Sequence, residues 1–489
     1  MIEQGFTFKN SVTLTLLTLA FIVGEISHFL IGTVSQEMAN DLHFGKQKCY
    51  PNETLSNLDL DDIGEICRDF ETEEACESDG VNGTCVFKYS GQGIEYQVLA
   101  GPIFVVIFTL SGVFMGFLGD KVSRTKLLGV CIMLFSCCGC LMAVVTQYWH
   151  LVILRMGVAA GEAAMRPVAG SFLAELFDPS TRGVANGIFS WGVYIGYGLT
   201  FVIGNYVPDA NILGYTWRPG FIIGCVLGIP IAIIIFFYED PKYARKKPED
   251  LAVEIEEKAK EALGEDIIIK ENEDRYWQSI GKAFCQSSMI LLFIAAAVRH
   301  TGGYSWSYNT QLYFEEYFRK ENPGISLALC SIIGGSFGVF VGGFLSDLAV
   351  RRMGLHSRLW ILSVCLVCAT PFSVCVLALE PPLTYYMLLI YYFFAETWFA
   401  VLFTVIVEIV PANIRSVCIG LFLFLMNNIG GNIPILVEPV SEAFGDLRSA
   451  LYIFFPGMVA ASSILFLIAS YPLYQEHKRK TLSEVRLVD

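Results

Sequence analysis

The sequence predicts an all-α membrane protein, and three observations support this fold class. Of its 489 residues, 54% are hydrophobic and only 16% are charged, whereas a typical soluble domain is about 25% charged. The mean hydropathy is positive, at +0.53. Twelve stretches are long and apolar enough to cross a bilayer as helices, for which about 20 residues are needed. The net charge of -14 excludes the basic surface of a nucleic-acid-binding protein, so we expect no nucleic-acid partner.

These twelve stretches, called spans 1 to 12, are separated by shorter polar segments. They cover residues 12–37, 97–118, 127–146, 149–177, 184–206, 218–238, 284–313, 325–346, 358–378, 383–409, 415–437 and 449–472. The polar linker 239–283 divides them into two six-helix bundles, at 1–238 and 284–472, and a short cytoplasmic tail follows at 473–489. Span 8 has a glycine at every fourth position from Gly334 to Gly342, which predicts close packing against a neighbouring helix.

Basic residues in the short loops predict how the chain is oriented in the membrane. Cytoplasmic loops of membrane proteins carry an excess of Lys and Arg. The loops that follow spans 2, 4, 8 and 10 hold most of these residues, namely Lys121, Arg124, Lys126, Arg182, Arg351, Arg352, Arg358 and Arg415. We therefore place these loops and the linker in the cytoplasm. Because the number of spans is even, both termini are predicted to be cytoplasmic as well.

The loop between spans 1 and 2, residues 39–95, is therefore predicted to be extracellular. Asn52-Glu-Thr and Asn82-Gly-Thr within it are acceptor sequences for N-glycosylation. The same loop holds four cysteines, at Cys49, Cys67, Cys76 and Cys85. Four cysteines in an exported loop predict two disulfide bonds, and the sequence leaves three pairings open.

Short motifs recur in the two bundles at a nearly constant offset. The sequence Gly-Phe-Leu-x-Asp near the end of span 2 includes Asp120, and it recurs 227 residues later with Asp347. A Glu followed seven residues later by an Arg occurs at 175–182 and again at 408–415, an offset of 233. Acidic residues in spans 4 and 10 are 234 residues apart, at Glu162 and Glu396. A duplicated six-helix unit explains these offsets.

The repeated motif, with its following basic residues, resembles the signature of the major facilitator superfamily. Within that superfamily the chain is similar to the Spinster-like lipid transporters, because span 4 contains Arg155-x5-Gly-Glu162-Ala and span 10 contains Ala-Glu396-Thr. It departs from them at Ser27-His28, where that family has Asp-Arg, and at Asn427-Asn428, where it has a His and an Asp. The cysteine-bearing first loop is more similar to organic-ion transporters. The resemblance implies the major facilitator fold, with twelve transmembrane helices in two pseudo-symmetric six-helix bundles.

The resemblance also implies that spans 1, 4, 7 and 10 line a central cavity. Charged side chains deep in a bilayer cost roughly 2.5–3.5 kcal/mol each, so they persist where they pair or function. The deep ionisable residues of this chain all fall on these four spans, at Glu25, His28, Arg155, Glu162, Arg166, Arg299, His300 and Glu396. Together with Asn427 and Asn428 of span 11 they form the predicted site for substrate and proton. Their spacing suits the pairs Glu25–His28 and Glu162–Arg166, and it puts Arg155 on the same helix face as Glu162.

We hypothesise that Glu162 is the main protonation site, with Glu25, His28 and Glu396 as accessory sites. Three arginines and two histidines favour a substrate with an anionic group. The resemblance implies charged latches at the cytoplasmic helix ends, formed by Asp120, Arg124, Glu175, Arg182, Asp347, Arg351, Glu408 and Arg415. Partly exposed ion pairs contribute about 0–1 kcal/mol each, which suits a latch that opens in every cycle.

The sequence therefore predicts a secondary transporter that works by alternating access and is coupled to protons. The predicted substrate is an anionic or zwitterionic amphiphile, such as a lysolipid or a sphingoid phosphate. A small organic anion as substrate, or a receptor or scaffold without transport, are the alternatives. The sequence shows neither a phosphate-binding loop nor a metal-ligand cluster, so we expect no enzymatic activity, no cofactor and no metal. We expect a monomer in the plasma membrane or in a lysosomal or endosomal membrane.

Overall fold

A computed structural model describes residues 6–51, 67, 72–78, 85–177, 181–240, 278–318, 322–410 and 414–488. Helices make up most of these residues, and the extracellular loop adds one antiparallel pair of strands, Gln47–Pro51 (β1) and Cys85–Tyr89 (β2). Both predicted glycosylation sites, Asn52 and Asn82, lie outside the described residues. The same is true of most of the predicted linker.

In the first bundle, every predicted span is one helix or two consecutive helices. Their bounds are Phe8–Thr33 for span 1, Ile94–Ala100 and Pro102–Lys121 for span 2, Arg124–Leu141 for span 3, Tyr148–Glu162 and Met165–Leu176 for span 4, Arg182–Ala210 for span 5, and Arg218–Cys225 and Gly228–Phe236 for span 6. Two short helices, Ser35–Leu42 and Glu73–Ser78, lie in the first loop.

The second bundle follows the same plan. A short helix, Gln278–Phe284, is bent by 64° from span 7. The bounds are Ser287–Tyr317 for span 7, Gly324–Leu329 and Ser336–Met353 for span 8, Ser357–Ala378 for span 9, Leu383–Ala395 and Trp398–Ile409 for span 10, Arg415–Asn432 and Val437–Phe444 for span 11, and Leu447–Tyr452 and Met458–Val488 for span 12. The segment predicted as a cytoplasmic tail from residue 473 continues this last helix up to Val488.

Spans 4 and 10 are interrupted, and the interruptions occur at equivalent places in the two bundles. Among the described residues, nine helices are long and apolar enough to cross a membrane, or ten if the bent pair before span 7 counts as one. Spans 4 and 10 are not among them because a turn divides each into two helices. The turns fall at 163–164, directly after Glu162, and at 396–397, which includes Glu396. Both predicted acidic residues therefore lie where the helix of their span is interrupted. The total of twelve and the cytoplasmic termini stay predictions.

The two bundles meet along spans 2 and 11, spans 5 and 8, and spans 1 and 7. At Gly101 of span 2, an added Cβ would lie 3.1 Å from the carbonyl oxygen of Gly431 in span 11, so the two backbones approach closely. Polar contacts between the bundles occur from mid-membrane to the side of the first loop, and they include Tyr96–Tyr308, Gln97–Asn309, Asn205–Gln311, Lys48–Glu316 and Lys46–Glu442. The structure is therefore closed on the predicted extracellular side.

The glycines of span 8 pack against span 10, as their spacing predicts. An added Cβ at Gly338 would lie 2.5 Å from the carbonyl oxygen of Phe393, and one at Gly342 would lie 2.5 Å from Cβ of Thr397. By contrast, the adjacent Gly343 faces open space. The spacing thus brings spans 8 and 10 together next to the interruption in span 10.

The first loop is organised around the two strands and the four cysteines. Within it, the Cα atoms of Cys49 and Cys76 are 5.8 Å apart, and those of Cys67 and Cys85 are 5.9 Å apart. Both distances suit a disulfide bond, so Cys49–Cys76 and Cys67–Cys85 are the expected pairs among the three possible pairings. The side chain of Asn40 exchanges hydrogen bonds of 2.9 Å with the backbone of Tyr89, which holds β2 against the helix that follows span 1.

A Gly338→Ala substitution should destabilise the second bundle. Its new Cβ would meet a backbone carbonyl, which cannot rotate away, and overpacking of this kind costs about 1–3 kcal/mol. Thermal unfolding of the purified protein in detergent should show a lower melting temperature for Gly338→Ala. The control is Gly343→Ala on the same helix, which should melt like the unsubstituted protein. Equal melting temperatures for the two variants would contradict the packing described here.

The pairing of the cysteines can be tested by digestion without reduction. Cleavage after Glu separates all four cysteines, because Glu53 and Glu65 lie between the first two, Glu71 between the second and third, and Glu77 between the last two. We expect mass spectrometry to find the Cys49 peptide joined to the Cys76 peptide, and the Cys67 peptide joined to the Cys85 peptide. Any other linked pair, or four free thiols, would show that the predicted pairing is wrong.

Candidate functional site

Three predicted site residues form one buried cluster where spans 1 and 4 meet. The side chains are Glu25 and His28 of span 1 and Glu162 of span 4, and their potential ligand atoms all lie within 4.8 Å of one another. Glycine on span 1 permits this approach, because a Cβ at Gly24 would lie only 3.3 Å from Cγ of Glu162. The prediction that these residues share one site therefore agrees with their placement.

The ion pairs in this cluster differ from those predicted along each helix. His28 Nδ1 lies 3.7 Å from Glu162 Oε1, and Arg166 Nη2 lies 3.8 Å from Glu25 Oε1. Both pairs join span 1 to span 4, whereas the predicted pairs Glu25–His28 and Glu162–Arg166 stay within one span. Spacing along one helix predicts only contacts within that helix, whereas the structure brings spans 1 and 4 close enough for ion pairs between them.

Arg155 is placed differently from the prediction that it binds substrate beside Glu162. Arg155 is 0% exposed. Its guanidinium group donates to the carbonyl oxygens of Ser27 at 3.2 Å and His28 at 2.6 Å on span 1. It also donates to the carbonyl oxygens of Leu99 at 3.3 Å and Ala100 at 3.4 Å on span 2. Arg155 therefore joins spans 1, 2 and 4 through hydrogen bonds to backbone carbonyls, and its predicted role in binding substrate stays a prediction.

A second charged group lies at the interruption of span 10. Arg299 Nη2 of span 7 donates to the carbonyl oxygen of Ala395 at 3.0 Å and to Glu396 Oε1 at 3.3 Å. Tyr194 of span 5 donates to the other carboxylate oxygen of Glu396 at 3.3 Å. Tyr194 was not among the predicted residues. Because it belongs to the first bundle, its hydrogen bond joins the two bundles in the middle of the membrane.

The remaining predicted residues have different neighbours. The ring of His300 lies 4.5 Å from that of Tyr304 and 5.6 Å from that of Trp398, and Asn427 is beside His300. Asn428, in contrast, donates to Thr109 Oγ1 at 2.7 Å. It therefore joins span 11 to span 2 in the contact between the bundles, and its predicted role in binding stays a prediction.

The charges of the acidic cluster are balanced by protein groups. Two carboxylates, Glu25 and Glu162, face two arginines, since Arg166 lies beside Glu25 and both Arg155 and Arg166 act electrostatically on Glu162. A divalent cation could be surrounded by Glu25, His28 and Glu162 as far as distance is concerned. It would add two positive charges to a group that is already neutral, which is unfavourable in a medium of low dielectric constant. The donor set therefore does not suit a resident metal.

On the predicted cytoplasmic side, the first bundle contains one of the expected latches. Arg124 Nη1 lies 2.7 Å from Glu175 Oε1. The backbone N–H of Arg124 donates to Asp240 Oδ2 at 2.7 Å, which ties the start of span 3 to the end of span 6. The side chains of Asp120 and Arg182, which were also predicted here, lie outside the described residues.

The second bundle forms its latch around Arg358 and not around the predicted Arg351. Arg358 donates to Asp347 Oδ1 at 2.7 Å and to Glu408 Oε1 at 2.9 Å, whereas Arg351 is exposed. Arg358 lies 234 residues after Arg124, the same offset that relates Glu162 to Glu396, so the repeat itself could have identified it. The repeated motif predicts Arg351 because it does not account for the longer connection between Asp347 and the start of span 9. The side chain of Arg415 lies outside the described residues.

Comparison with known proteins agrees with this architecture. The sequence profile described as Major Facilitator Superfamily matches residues 8–433. A probable 4-methylmuconolactone transporter of Cupriavidus pinatubonensis is 23% identical over 345 residues, which are 71% of this chain and 75% of that protein. A sphingosine-1-phosphate transporter of Danio rerio is 27% identical over 147 residues, 29% of each chain, so this match spans less than a third of that relative.

Two solved structures share the fold. A bacterial homolog of the human lysosomal transporter Spinster, in an inward-facing and unoccupied conformation, superimposes with a TM-score of 0.65 at 18% identity, over 96% of this chain and 97% of the other. The inward open xylose transporter of E. coli gives a TM-score of 0.62 at 12% identity, over 94% and 95%. With the family match, these likenesses make the chain a multi-pass membrane transporter and not an enzyme. The chain belongs to the major facilitator superfamily, and within it the chain is similar to the Spinster-like transporters.

Proposed function

We propose that this transporter is coupled to protons and moves an amphiphile with an anionic or zwitterionic head group, such as a lysolipid or a sphingoid phosphate. The observation that carries the proposal is the buried cluster of spans 1 and 4. In this cluster the imidazole of His28 lies 3.7 Å from Glu162, and the guanidinium of Arg166 lies 3.8 Å from Glu25. The sphingosine-1-phosphate transporter of Danio rerio, which resembles part of this chain, supports the same class of substrate.

Glu162 is the proposed main protonation site. It is 2% exposed, and its Oε2 atom has no hydrogen-bond partner among the described residues. An ionised carboxylate without full hydrogen bonding is costly to bury, so its proton occupancy depends strongly on the charges around it. Glu25 and His28 lie beside it and are the proposed accessory protonation sites. Glu396 is the proposed accessory protonation site in the second bundle.

The amphiphilic character of the substrate is supported by aromatic rings next to the charged groups. Tyr304 lies beside His300, and its ring is 5.1 Å from that of Tyr308. Trp398 packs near both His300 and Arg299. Such a surface suits an apolar chain, while the arginines suit a phosphate or carboxylate. A small organic anion is the second candidate, because the 4-methylmuconolactone transporter matches over most of its length.

Transport by alternating access requires the two bundles to rock about the central site. The polar contacts between the bundles on the side of the first loop support an inward-facing state. The latches at Arg124 and Arg358 each lie within one bundle, and they keep the cytoplasmic end of each bundle rigid while the bundles separate. The proposal places a monomer in the plasma membrane or the lysosomal membrane, with the proton as coupling ion and no cofactor.

Substitution of Glu162 by Gln should remove the dependence of transport on pH. The amide keeps the size of the side chain but does not titrate, so an imposed pH gradient should no longer accelerate uptake. We expect proteoliposomes with the unsubstituted protein to take up oleoyl lysophosphatidate at least about tenfold faster with a gradient than without, which is the effect of roughly 1.4 kcal/mol. The variant should show one slow rate in both conditions.

The matched control is Glu380→Gln, which alters an exposed carboxylate between spans 9 and 10. It should keep the full response to the pH gradient. Undiminished stimulation of Glu162→Gln would show that the proton binds elsewhere. Parallel assays with small aromatic carboxylates decide between the two classes of substrate, and absence of uptake for every compound would favour a receptor or scaffold.

Arg358→Gln should weaken the second bundle, although Arg358 lies outside the predicted set. Arg358 is buried and donates to Asp347, Glu408 and the hydroxyl of Ser346. The two carboxylates are 64% and 37% exposed, so each ion pair contributes about 0–1 kcal/mol, and the substitution removes both pairs together. We expect a melting temperature several degrees lower and a slower transport cycle. The exposed Arg351→Gln should change neither. If Arg351→Gln lowered the melting temperature and the transport rate more than Arg358→Gln, the prediction that Arg351 forms the latch would be supported.

A further inference from the structure

Three arginines lie on the cavity spans, and two of them have their guanidinium groups occupied by the protein. Arg155 is directed at four carbonyl oxygens of spans 1 and 2. Arg299 is 1% exposed, and it donates to the backbone of Ala395 and to Glu396. Binding of substrate by either one would first require the loss of these hydrogen bonds, which hold spans together.

Arg166 differs from both in exposure. Its side chain is 47% exposed, although Glu25 beside it is buried. Its charge acts on Tyr194 of span 5 and on His300 and Tyr304 of span 7. Arg166 is therefore accessible, and it faces groups from both bundles. A ligand that enters between the bundles would therefore reach the guanidinium of Arg166, whereas Arg155 and Arg299 are buried.

The contact between Arg166 and Glu25 is loose enough to be exchanged. The distance of 3.8 Å between Nη2 and Oε1 exceeds that of a charge-assisted hydrogen bond, which is about 2.7–2.9 Å. The guanidinium also lies 5.7 Å from the ring centre of Phe21, which keeps it next to an apolar surface. A phosphate or carboxylate of a ligand could bind both guanidinium nitrogens and form shorter hydrogen bonds than Glu25 does.

The charge balance of the cluster determines what such binding would do to Glu25. The groups that face Glu25 are Glu162 and Arg166 of span 4, Tyr304 of span 7 and His28 on its own helix. With two carboxylates and the two arginines of span 4, the cluster is neutral before the ligand arrives. An anion on Arg166 adds negative charge at a buried site, where uncompensated charge is costly. A proton taken from solution by a carboxylate oxygen of Glu25 or Glu162 restores the balance.

We propose that Arg166 is the residue that receives the anionic group of the substrate, and that this contact makes substrate and proton bind together. The inference rests on the proposed function and adds to it the residue that connects the two ligands. Arg166 acts on the substrate directly, whereas Arg155 positions the carboxylates. The shared chemistry is an oxyanion, which a lipid head group or a small solute can supply.

Binding measurements with three related probes test this proposal on the full chain in detergent. Oleoyl lysophosphatidate has both the phosphate and the chain, monooleoylglycerol has only the chain, and glycerol 3-phosphate has only the head group. Calorimetry in two buffers of different ionisation enthalpy gives the affinity and the number of protons taken up. At pH 8 the probe itself titrates little, because the second pKa of such a phosphate is about 6.

We expect Arg166→Gln to weaken binding of oleoyl lysophosphatidate at least about tenfold, since a charge-assisted contact is lost. Its affinity for monooleoylglycerol should not change. The unsubstituted protein should take up about one proton with the phosphate probe, and the variant should take up far less at saturation. Arg166→Lys keeps the charge but not the two-nitrogen contact, so it should take up about one proton with the ligand and bind with an affinity between those of Arg166→Gln and the unsubstituted protein. The exposed Arg352→Gln should match the unsubstituted protein.

Two kinds of result would overturn the inference, and they are distinguishable. If Arg166→Gln binds oleoyl lysophosphatidate with unchanged affinity and proton uptake, the anion binds elsewhere although the proposed function stands. If the unsubstituted protein binds neither phosphate probe, the proposed function fails first. Should Arg166→Gln not fold, the proton count of the unsubstituted protein and the affinity of Arg166→Lys decide, because binding without proton uptake contradicts the coupling. Equal, Arg166-dependent binding of glycerol 3-phosphate supports the inference with a small solute as ligand.

Discussion

The need to balance charge inside the bilayer explains the arrangement of spans 1 and 4. Glu25 and Glu162 are buried where these spans meet, and such carboxylates are tolerated only with counter-charges nearby. Arg155 supplies one while its hydrogen bonds to carbonyl oxygens join spans 1, 2 and 4. Arg166 supplies the other, because its guanidinium lies 3.8 Å from Glu25 on the neighbouring span. Both counter-charges of the two carboxylates therefore come from span 4.

The second bundle repeats the interruption but uses it differently. Glu396 occupies the position equivalent to Glu162, yet it pairs with Arg299 and accepts a hydrogen bond from Tyr194. Its carboxylate therefore has partners from both bundles, whereas Glu162 pairs within its own bundle with His28. The equivalent interruptions of the duplicated unit therefore have different contacts, one within a bundle and the other between the two bundles. Rocking of the bundles must change the second contact and can leave the first intact.

The sequence was sufficient for the features that depend on composition and spacing, and insufficient for those that depend on the path of the backbone. Hydropathy located helices in both bundles, and the spacing of glycines predicted the packing of span 8. The ion pairs of Glu25 and Glu162 join two spans, which spacing along a single helix does not reveal. Pro167, which lacks the N–H that would bond to the carbonyl of residue 163, is the sequence signal for the interruption of span 4. The motif predicts Arg351 instead of Arg358 because its spacing does not include the longer connection before span 9. The contacts of Lys46 and Lys48 with the second bundle depend on how the first loop folds, which composition does not specify.

Closure on the side of the first loop consists of two layers with different energetics. The inner layer is buried, and it includes the hydrogen bonds Tyr96–Tyr308 and Gln97–Asn309. On opening, water replaces these partners, so each contributes only about 0.5–1.5 kcal/mol to the closed state. The outer layer comes from the inserted loop, where Lys46 and Lys48 pair with Glu442 and Glu316, and exposed pairs contribute about 0–1 kcal/mol. Each contact is thus weak, and the difference between the two states is small enough for a ligand bound in the cavity to reverse it. The contacts of the first loop therefore favour the closed state but are weak enough to break when the bundles separate.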